Sequence, residues 1–198
     1  MTTRHHNPRK QQEARDWAQS LMMMPNFYVF DTETTGISKN DEIIQIAVVD
    51  KHGEAVINTL IKNTIRISPG AQRVHGISAR DLKDAPNMMD VYTDLSIKLA
   101  GSTLVAYNMD FDWRMLNQSL SNYRLPQIRV SDRHCAMKEY AKFHGQWNPQ
   151  RRSYRYQKLS NACMQMSIEG IQTHQALDDT LMTLELIKRM AGITRTAP

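Results

Sequence analysis

Two acidic residues stand two positions apart directly after a short apolar, aromatic run. The run Phe27–Phe30 has the composition of a strand, and Asp31 and Glu33 follow it within the segment Asp31-Thr32-Glu33-Thr34-Thr35-Gly36. Alternate residues of a strand face one side, so both carboxylates are expected together at the strand's carboxyl end. Cations would relieve their repulsion, and carboxylate oxygens are ligands that Mg²⁺ and Mn²⁺ prefer. A solvated turn capped by threonine and glycine is the alternative.

A second acidic segment, Asn108-Met109-Asp110-Phe111-Asp112, follows the apolar run Thr103–Tyr107. Open α/β sheets place their sites at the carboxyl ends of strands, so a third carboxylate is expected to reach the first two. Asp110 competes for this role, but it is expected to cap the next helix, while Asp112 lies within the first turn. Asp112 is therefore the candidate.

A histidine and two further acids occur together near the end of the chain, in His174-Gln175-Ala176-Leu177-Asp178-Asp179. The imidazole of His174 can accept a proton near neutral pH, next to another carboxylate. Helical spacing favours Asp178 as the same-face neighbour of His174 and does not select Asp179. Spacing alone leaves the choice between the two acids open.

The elements that must position these residues follow from hydrophobic periodicity. Five runs have the length and composition of strands: Phe27–Phe30, Glu42–Val49, Ala55–Ile61, Thr103–Tyr107 and Ile128–Val130. Apolar residues recur at helical spacing in five segments: 11–24, Met88–Ala100, Phe111–Leu120, His134–His144 and Leu177–Met190. His52-Gly53 predicts a hairpin between the second and third strands. This order predicts an α/β fold with a mixed five-stranded sheet flanked by helices.

Length and composition indicate one soluble domain with tails. The chain has 198 residues, a net charge of +5 and two cysteines, Cys135 and Cys163, which lack metal-site spacing and are expected to be buried. Its longest apolar runs are too short to span a bilayer, and no secretory signal is recognisable, so a cytoplasmic location without a membrane partner is expected. We predict a basic tail and helix over 1–26, an enzymatic domain over 27–192 and a tail over 193–198.

Three motifs occur in a fixed order along the chain: Asp31-x-Glu33 with Thr34-Thr35-Gly36, Asn108-x-x-Phe111-Asp112, and His174-x-Ala176-x-x-Asp179. Together they resemble the DEDDh (DnaQ-like) 3′–5′ exonuclease superfamily over roughly Phe27 to Met190. The proofreading-subunit and exonuclease X branches look most similar. The resemblance implies a ribonuclease H-like fold whose second strand runs antiparallel to the others.

The resemblance also implies a catalytic site. Its metal ligands would be Asp31, Glu33, Asp112 and Asp179, which would hold two divalent cations, Mg²⁺ or Mn²⁺, and its general base would be His174. Asp178 matches a variable position of the family and is left out of the site. Two such cations stabilise both the attacking and the leaving oxygen of a phosphodiester, and nucleoside 5′-monophosphates would be released.

Substrate contacts are predicted from the same motifs and from charge. The terminal nucleotide is expected to contact Thr34, Thr35, Gly36, His75 and Asn108. His75 belongs to Val74-His75-Gly76-Ile77, another segment that resembles the family, with a structural turn as the alternative. Arg151, Arg152, Arg155 and Lys158 alternate with Tyr154 and Tyr156, a composition suited to phosphate neutralisation and base stacking. Arg152 and Arg155 are therefore included as substrate-binding candidates, with a solvated basic loop as the alternative.

The expected partner is the 3′ end of a nucleic-acid strand, and DNA is preferred over RNA. An exoribonuclease of the same superfamily is the first alternative, because no motif reports recognition of the 2′-hydroxyl. A catalytically inactive nucleic-acid-binding module is the second alternative, and it has no need for four acids and a base. The sequence identifies no polymerase or repair partner.

Overall fold

A mixed five-stranded sheet forms the centre of the fold. The computed structural model describes residues 7–169 and 175–193. The strands are β1 (Phe27–Thr34), β2 (Ile43–Asp50), β3 (Ala55–Leu60), β4 (Thr103–Ala106) and β5 (Asp132–Cys135). They lie in the order β3-β2-β1-β4-β5, and β2 is antiparallel to both neighbours while β1, β4 and β5 are parallel. The predicted mixed sheet with an antiparallel second strand is confirmed.

Helices cover both faces of this sheet. They are α1 (Pro8–Met23), α2 (Pro69–His75), α3 (Met88–Leu99), α4 (Met109–Asn122), α5 (Ala136–His144), α6 (Leu159–Gln165) and α7 (Ala176–Met190). One core cluster lies between the sheet and α1, α5, α6 and α7, and a second lies between the sheet and α3 and α4. A small hairpin of β6 (Trp147–Asn148) and β7 (Ser153–Tyr154) precedes α6.

The alternation of β1 decides which face its acids occupy. Phe27 and Val29 belong to the core cluster on the α7 side, whereas Phe30 belongs to the cluster on the α4 side. Since side chains alternate along a strand, Asp31 continues the α7-facing set and Thr32 the α4-facing set. The side chain of Asp31, at the carboxyl end of β1, therefore faces α7.

Helix α1 is part of the core. Ala14, Ala18 and Leu21 are buried against the other elements, and the side-chain amide of Gln19 donates to the carbonyl oxygen of Ala191 at 3.1 Å. The helix begins earlier than its apolar pattern predicts, because Asn7 caps the backbone N–H of Lys10 and a proline occupies the first turn. Polar capping residues carry no hydrophobic periodicity.

The predicted fifth strand is misplaced by a few residues. Ile128–Val130 is not a strand; the fifth strand is Asp132–Cys135, which pairs in parallel with β4. Ile128 is buried in the core from a non-strand segment, so its hydrophobicity reports packing rather than pairing. The true strand is polar because it lies at the sheet edge, where side chains such as Arg133 reach solvent.

Both cysteines are buried and free, as predicted. The thiol of Cys135 donates to the carbonyl oxygen of Tyr107, and burial raises the pKa of Cys163 to about 12, which keeps that thiol protonated. Within residues 7–169 and 175–193, no helix combines the length and the hydropathy needed to cross a membrane.

Candidate active site

Three carboxylates from two elements converge at the carboxyl end of β1. Asp31 and Glu33 come from the strand and Asp179 from the first turn of α7, and one oxygen of each lies within 4.8 Å of the others. Helix α7 packs along β1, which brings its first turn beside the strand's acids. The acid of the third motif therefore joins the pair of the first motif.

A fourth carboxylate approaches from the opposite face of the sheet. Asp112 lies in the first turn of α4 and is buried, and its Oδ1 accepts hydrogen bonds from the backbone N–H of Thr32 at 3.1 Å and from the Thr32 hydroxyl at 2.8 Å. Thr32 stands between the two acids of β1. Thr32, which separates Asp31 from Glu33, therefore holds Asp112 next to the acids of β1.

Three of the four acids, Asp31, Glu33 and Asp112, have raised pKa values. Burial, reinforced by the charges of Asp112, Glu33 and Asp179, raises the pKa of Asp31 well above its usual range. Burial and the charges of Asp179 and Asp112 raise the pKa of Glu33 to about 8. Burial also raises the pKa of Asp112 to about 7, although the hydrogen bonds from Thr32 lower it. Fully ionised, the cluster would repel itself.

The donor set fits hard divalent cations. All its ligand atoms are carboxylate oxygens, and cations bound between them would offset the repulsion that raises the pKa values. Mg²⁺ and Mn²⁺ share this preference for oxygen ligands. The arrangement is suited to binding such ions.

A chain of glutamine contacts positions the start of α7. The Oε1 atom of Gln45, on β2, accepts a hydrogen bond from the backbone N–H of Ala176 at 3.1 Å, and its Nε2 donates to Gln175 at 3.4 Å. The Gln175 amide in turn donates to the carbonyl oxygen of His75 at 2.8 Å. His174 lies outside the described residues. Gln45 and Gln175 thus locate the chain immediately after it.

A cavity of about 370 Å³ opens beside the acids. This volume lies in the range of small-molecule sites. Apolar and small side chains form much of its lining, and the exposed side chains of Ile37 and Val74 stand at it. Predicted substrate contacts that line it are Thr34, Gly36 and His75, together with the acid Glu33.

His75 is a buried residue of the cavity wall. Its Nδ1 accepts from the backbone N–H of Ile77 at 3.0 Å, while its buried Nε2 has no hydrogen-bond partner among the described residues. Burial lowers the pKa of His75, so the ring is neutral at pH 7, and Nε2 carries the proton because Nδ1 is an acceptor. The buried Nε2–H therefore lies against the Thr34 backbone in the cavity wall.

Thr35 supports the cavity wall rather than facing the cavity. It is fully buried, its N–H donates to the carbonyl oxygen of Glu42 at 2.8 Å, and its carbonyl oxygen accepts from Ser68. Its hydroxyl donates to Asp41 at 2.8 Å. These bonds occupy the backbone groups that the sequence assigned to nucleotide contact, so Thr35 is not placed with Thr34 and Gly36.

Gly36 is required by close approach to Asp41. A Cβ atom at this position would lie 2.7 Å from the nearest Asp41 carboxylate oxygen. That carboxylate also accepts a hydrogen bond from the backbone N–H of Ser38 at 2.6 Å. Asp41 therefore shapes the turn after β1, and a larger residue at 36 would displace it.

The remaining residues of the second motif lie outside the acid cluster. Asn108 is the exposed N-cap residue of α4, and its carbonyl oxygen accepts from the N–H groups of Phe111 and Asp112. The prediction that Asp110 caps this helix is wrong, because Asp110 is the second helical residue and forms a salt bridge with Lys138 at 2.6 Å.

The basic stretch forms the β6–β7 hairpin and the segment after it. Arg152 lies at the turn with a left-handed backbone (φ 50°), and Arg155 follows β7. The hydroxyl of Tyr107, one residue beyond β4, donates to the carbonyl oxygen of Gln157 at 2.7 Å. The basic residues therefore lie at the same end of the sheet as the acids, although they do not line the cavity.

Sequence reasoning missed three supporting residues: Thr32, Asp41 and Gln45. Gln45 alone left a signal, since it is a polar residue inside the otherwise apolar run Ile43–Val49 of a buried strand. Such a residue needs a hydrogen-bond partner, which here is α7.

The chain is similar to known exonucleases. A family model described as exonuclease matches residues 28–187. An uncharacterized exonuclease of Escherichia phage 186 is 32% identical over 188 residues, which cover 91% of this chain and 93% of the phage protein. The DNA polymerase III subunit epsilon of Treponema pallidum is 29% identical, over 88% of this chain and 80% of that protein.

A solved structure shares the fold as well as part of the sequence. Exonuclease X in complex with 5′-overhanging duplex DNA is similar with a TM-score of 0.60 and 26% identity. The similarity covers 85% of this chain and 94% of that one. The sheet order and the flanking helices are those of a ribonuclease H-like exonuclease.

Proposed function

The chain belongs to the exonuclease family, and on that basis we propose that it removes nucleotides from the 3′ end of DNA, preferably single-stranded, in a metal-dependent reaction. As a family member it is a nuclease, a hydrolase of phosphodiester bonds. The observation that carries the proposal is the position of the acid cluster of Asp31, Glu33 and Asp179 beside a nucleotide-sized cavity. The products would be nucleoside 5′-monophosphates.

Divalent ions would be held by Asp31, Glu33, Asp112 and Asp179, where they would lower the pKa of a bound water and neutralise charge on the phosphate oxygens. The carboxylates have separate supports. Asp112 is held by Thr32, and Asp179 is placed by the Gln45 contact to α7. A site fixed by its surroundings in this way keeps its geometry as charge develops on the substrate.

The cavity would receive the terminal nucleotide. Ile37 and Val74 offer apolar surface for the base, while Thr34, Gly36 and His75 offer small or polar groups for the sugar and phosphate. Glu33 belongs both to the acid cluster and to the cavity lining. A nucleotide in the cavity would therefore have its phosphate beside the acids.

His174 would act as the general base, as in the motif that this sequence shares with the superfamily. It would accept a proton from the attacking water, with the start of α7 held by Gln45 and Gln175. Asp178, next to the proposed ligand Asp179, has no assigned role.

End-labelled substrates test the proposal. Single-stranded DNA, duplex DNA with a recessed 3′ end and single-stranded RNA of equal length are digested with Mg²⁺ or Mn²⁺, and with a chelator. We expect mononucleotides to appear from the 3′ end of DNA, fastest on the single strand, and none with chelator. Faster cleavage of RNA would make the chain an exoribonuclease, and cleavage that persists in chelator would contradict the metal site.

Asp112→Asn and Asp110→Asn form a matched pair for this assay. Both residues lie in the first turn of α4, but only Asp112 contacts Thr32 while Asp110 pairs with Lys138 at the surface. Loss of hydrolysis in the first variant alone would support the assigned site. Equal activity of the two variants would contradict it.

A further inference from the structure

We propose that the basic hairpin, residues Trp147–Lys158, binds the substrate strand on the 5′ side of the scissile bond. The inference rests on the proposed function and adds a second binding site to it. The terminal nucleotide would occupy the cavity, while the hairpin would hold nucleotides further along the same strand. The occupant is a single-stranded nucleic acid.

The position of the basic hairpin is fixed by a contact to the sheet. Tyr107 directly follows β4, and the register of β1 with β4 pairs Val29 with Val105, so Tyr107 is level with Asp31. The Tyr107 hydroxyl donates to Gln157 O at 2.7 Å. Tyr107 also packs in the core cluster on the α7 side, the face toward which Asp31 points. The hairpin and the acid cluster therefore share one end and one face of the sheet.

The hairpin is internally held, so its charges have a defined place. Trp147 and Tyr154 pack edge to face with ring centroids 5.1 Å apart, and the Asn148 side chain accepts from the N–H groups of Gln150 and Arg151 across the turn. The N–H of Arg155 donates to the carbonyl oxygen of Gln146 at 2.8 Å. A preorganised element loses little conformational entropy on binding.

The four cations of the basic hairpin are free to meet phosphates. Arg151, Arg152, Arg155 and Lys158 are all exposed, and none forms a salt bridge with an acid of the part of the chain that the structure describes. By contrast, Lys138 nearby is paired with Asp110. Unpaired cations beside a site for an anionic substrate match the charge of a phosphate backbone.

An exposed aromatic residue completes the surface. Tyr156 leaves 58% of its surface exposed between Arg155 and the anchored Gln157, whereas Tyr154 packs against Trp147. Exposed rings beside cations are typical of surfaces that bind single strands, because bases stack on them without regard to sequence. A duplex, whose bases are already stacked, offers no such contact, so the single strand is the favoured occupant.

The test uses charge variants of the full chain. Arg152→Asn combined with Arg155→Ala removes two cations, and asparagine is chosen at 152 because it tolerates the left-handed backbone. The double variant to lysine keeps both charges. Lys98→Ala with Arg129→Ala is the matched control, since both residues are exposed and Arg129 contacts Gly101 near the start of β4, at the opposite end of that strand.

Binding is measured by fluorescence anisotropy in Ca²⁺ across a salt series, with a single strand of about 16 nucleotides. Removing two phosphate contacts should flatten the slope of log affinity against log salt by about 1.4 and weaken binding about 25-fold near 0.1 M salt. The lysine variant and the opposite-end control should keep the slope. An unchanged slope in the Asn/Ala variant would contradict the proposal and show that the hairpin is an ordinary solvated surface.

Hydrolysis separates this inference from the proposed function. The ratio of kcat/KM on the oligonucleotide to kcat/KM on the p-nitrophenyl ester of thymidine 5′-monophosphate should fall in the Asn/Ala variant, since the ester has no upstream strand. If the unmodified chain cleaves neither substrate, the proposed function fails, and the salt slope still decides the inference.

Two further measurements identify the occupant. Tyr156→Leu should weaken binding of the single strand several-fold with no change in salt slope, and Tyr156→Phe should restore it, because stacking needs the ring. The affinity for polyglutamate and for blunt duplex is measured in the same way. If the Asn/Ala variant loses as much affinity for either of them as for the single strand, the hairpin is a general polyanion-binding surface and the assignment is overturned.

Discussion

The hydroxyl and the backbone N–H of Thr32 both donate to one oxygen of Asp112, although the two residues are 80 positions apart in the chain. This contact lies on the α4 face of the sheet and joins α4 to the strand that carries Asp31. One oxygen of Asp112 is thereby oriented. Partners that orient a ligand in this way affect metal affinity strongly.

Replacing Thr32 with valine keeps the shape of the side chain and removes the hydroxyl bond. We expect about 10- to 100-fold weaker metal binding or activity, because Asp112 loses one of two orienting bonds. The hydrolysis rate is measured as a function of Mn²⁺ concentration. Thr32→Ser should return the Mn²⁺ concentration needed for the half-maximal rate to that of the unmodified chain. Equal metal requirement in the valine variant and the unmodified chain would contradict the positioning role.

Replacing Asp31 with alanine should abolish nearly all hydrolysis and leave the fold intact, because an oxygen ligand at the centre of the site has no substitute. The metal-free protein should melt slightly higher, by about 2–4 °C, since one member of a mutually repelling group is gone. Thermal melting with chelator checks this. A lowered melting temperature together with retained activity would overturn the assignment of Asp31.

The neighbouring acids of α7 should behave differently when each is changed to asparagine. Asp179 lies with Asp31 and Glu33, so Asp179→Asn should remove most activity, whereas Asp178→Asn should have little effect. Single-turnover rates on end-labelled DNA compare the two variants directly. Equal damage from both would mean that the choice between them was wrong.

His174→Ala should lower the rate by roughly 10² to 10⁴, the range for a lost general base, without abolishing metal binding. Stabilisation of the variant by Mn²⁺ in a thermal melt reports binding independently of catalysis. If the variant lost both activity and stabilisation by Mn²⁺, His174 would be acting through the metal site.

Metal binding should strengthen as the pH rises. The pKa of Glu33 is raised to about 8 and that of Asp112 to about 7, so the metal-free fold binds these protons more tightly than the unfolded chain. The stability from the raised pKa values is therefore present in full below the ordinary pKa values of 4.5 and 3.8 and is lost as the pH rises through about 7 to 8.

Cations replace the protons at higher pH, so the rise in melting temperature caused by Mn²⁺ should grow from about pH 6 to about pH 9. Melting curves with Mn²⁺ and with chelator at each pH measure the difference. The growth should be much smaller in Asp31→Ala. A stabilisation that is constant over this range would contradict the protonated state of the acids.

The acid cluster was largely predictable because its members follow strands or begin helices. Because side chains alternate along a strand, Asp31 and Glu33 lie on the same side of β1. The parallel neighbour β4 ends at the same end of the sheet. The helix Met88–Leu99 was equally predictable, since its apolar residues at helical spacing, Met88, Val91, Leu95 and Leu99, face one core cluster. Local periodicity suffices where an element buries one face.

Contacts between distant parts of the chain carried no such pattern. Gln45 meets Ala176 across 131 positions, and the closeness of Gly36 to Asp41 depends on how one turn folds. The edge strand was misplaced because the most apolar residue nearby, Ile128, packs without pairing. Hydrophobicity marks burial, whereas strand pairing at an exposed edge depends on backbone hydrogen bonds that any side chain allows.

The bond from Gln175 to the carbonyl oxygen of His75 connects the wall of the cavity to the residue that follows His174. We therefore expect occupancy of the cavity to be coupled to the alignment of α7, and such a coupling would act equally in both directions. Protection of the Ala176 amide from hydrogen exchange, which reports its bond to Gln45, should rise when a nucleoside monophosphate binds. A terminal nucleotide that fits the cavity wall poorly would then stay bound for a shorter time and would also react more slowly.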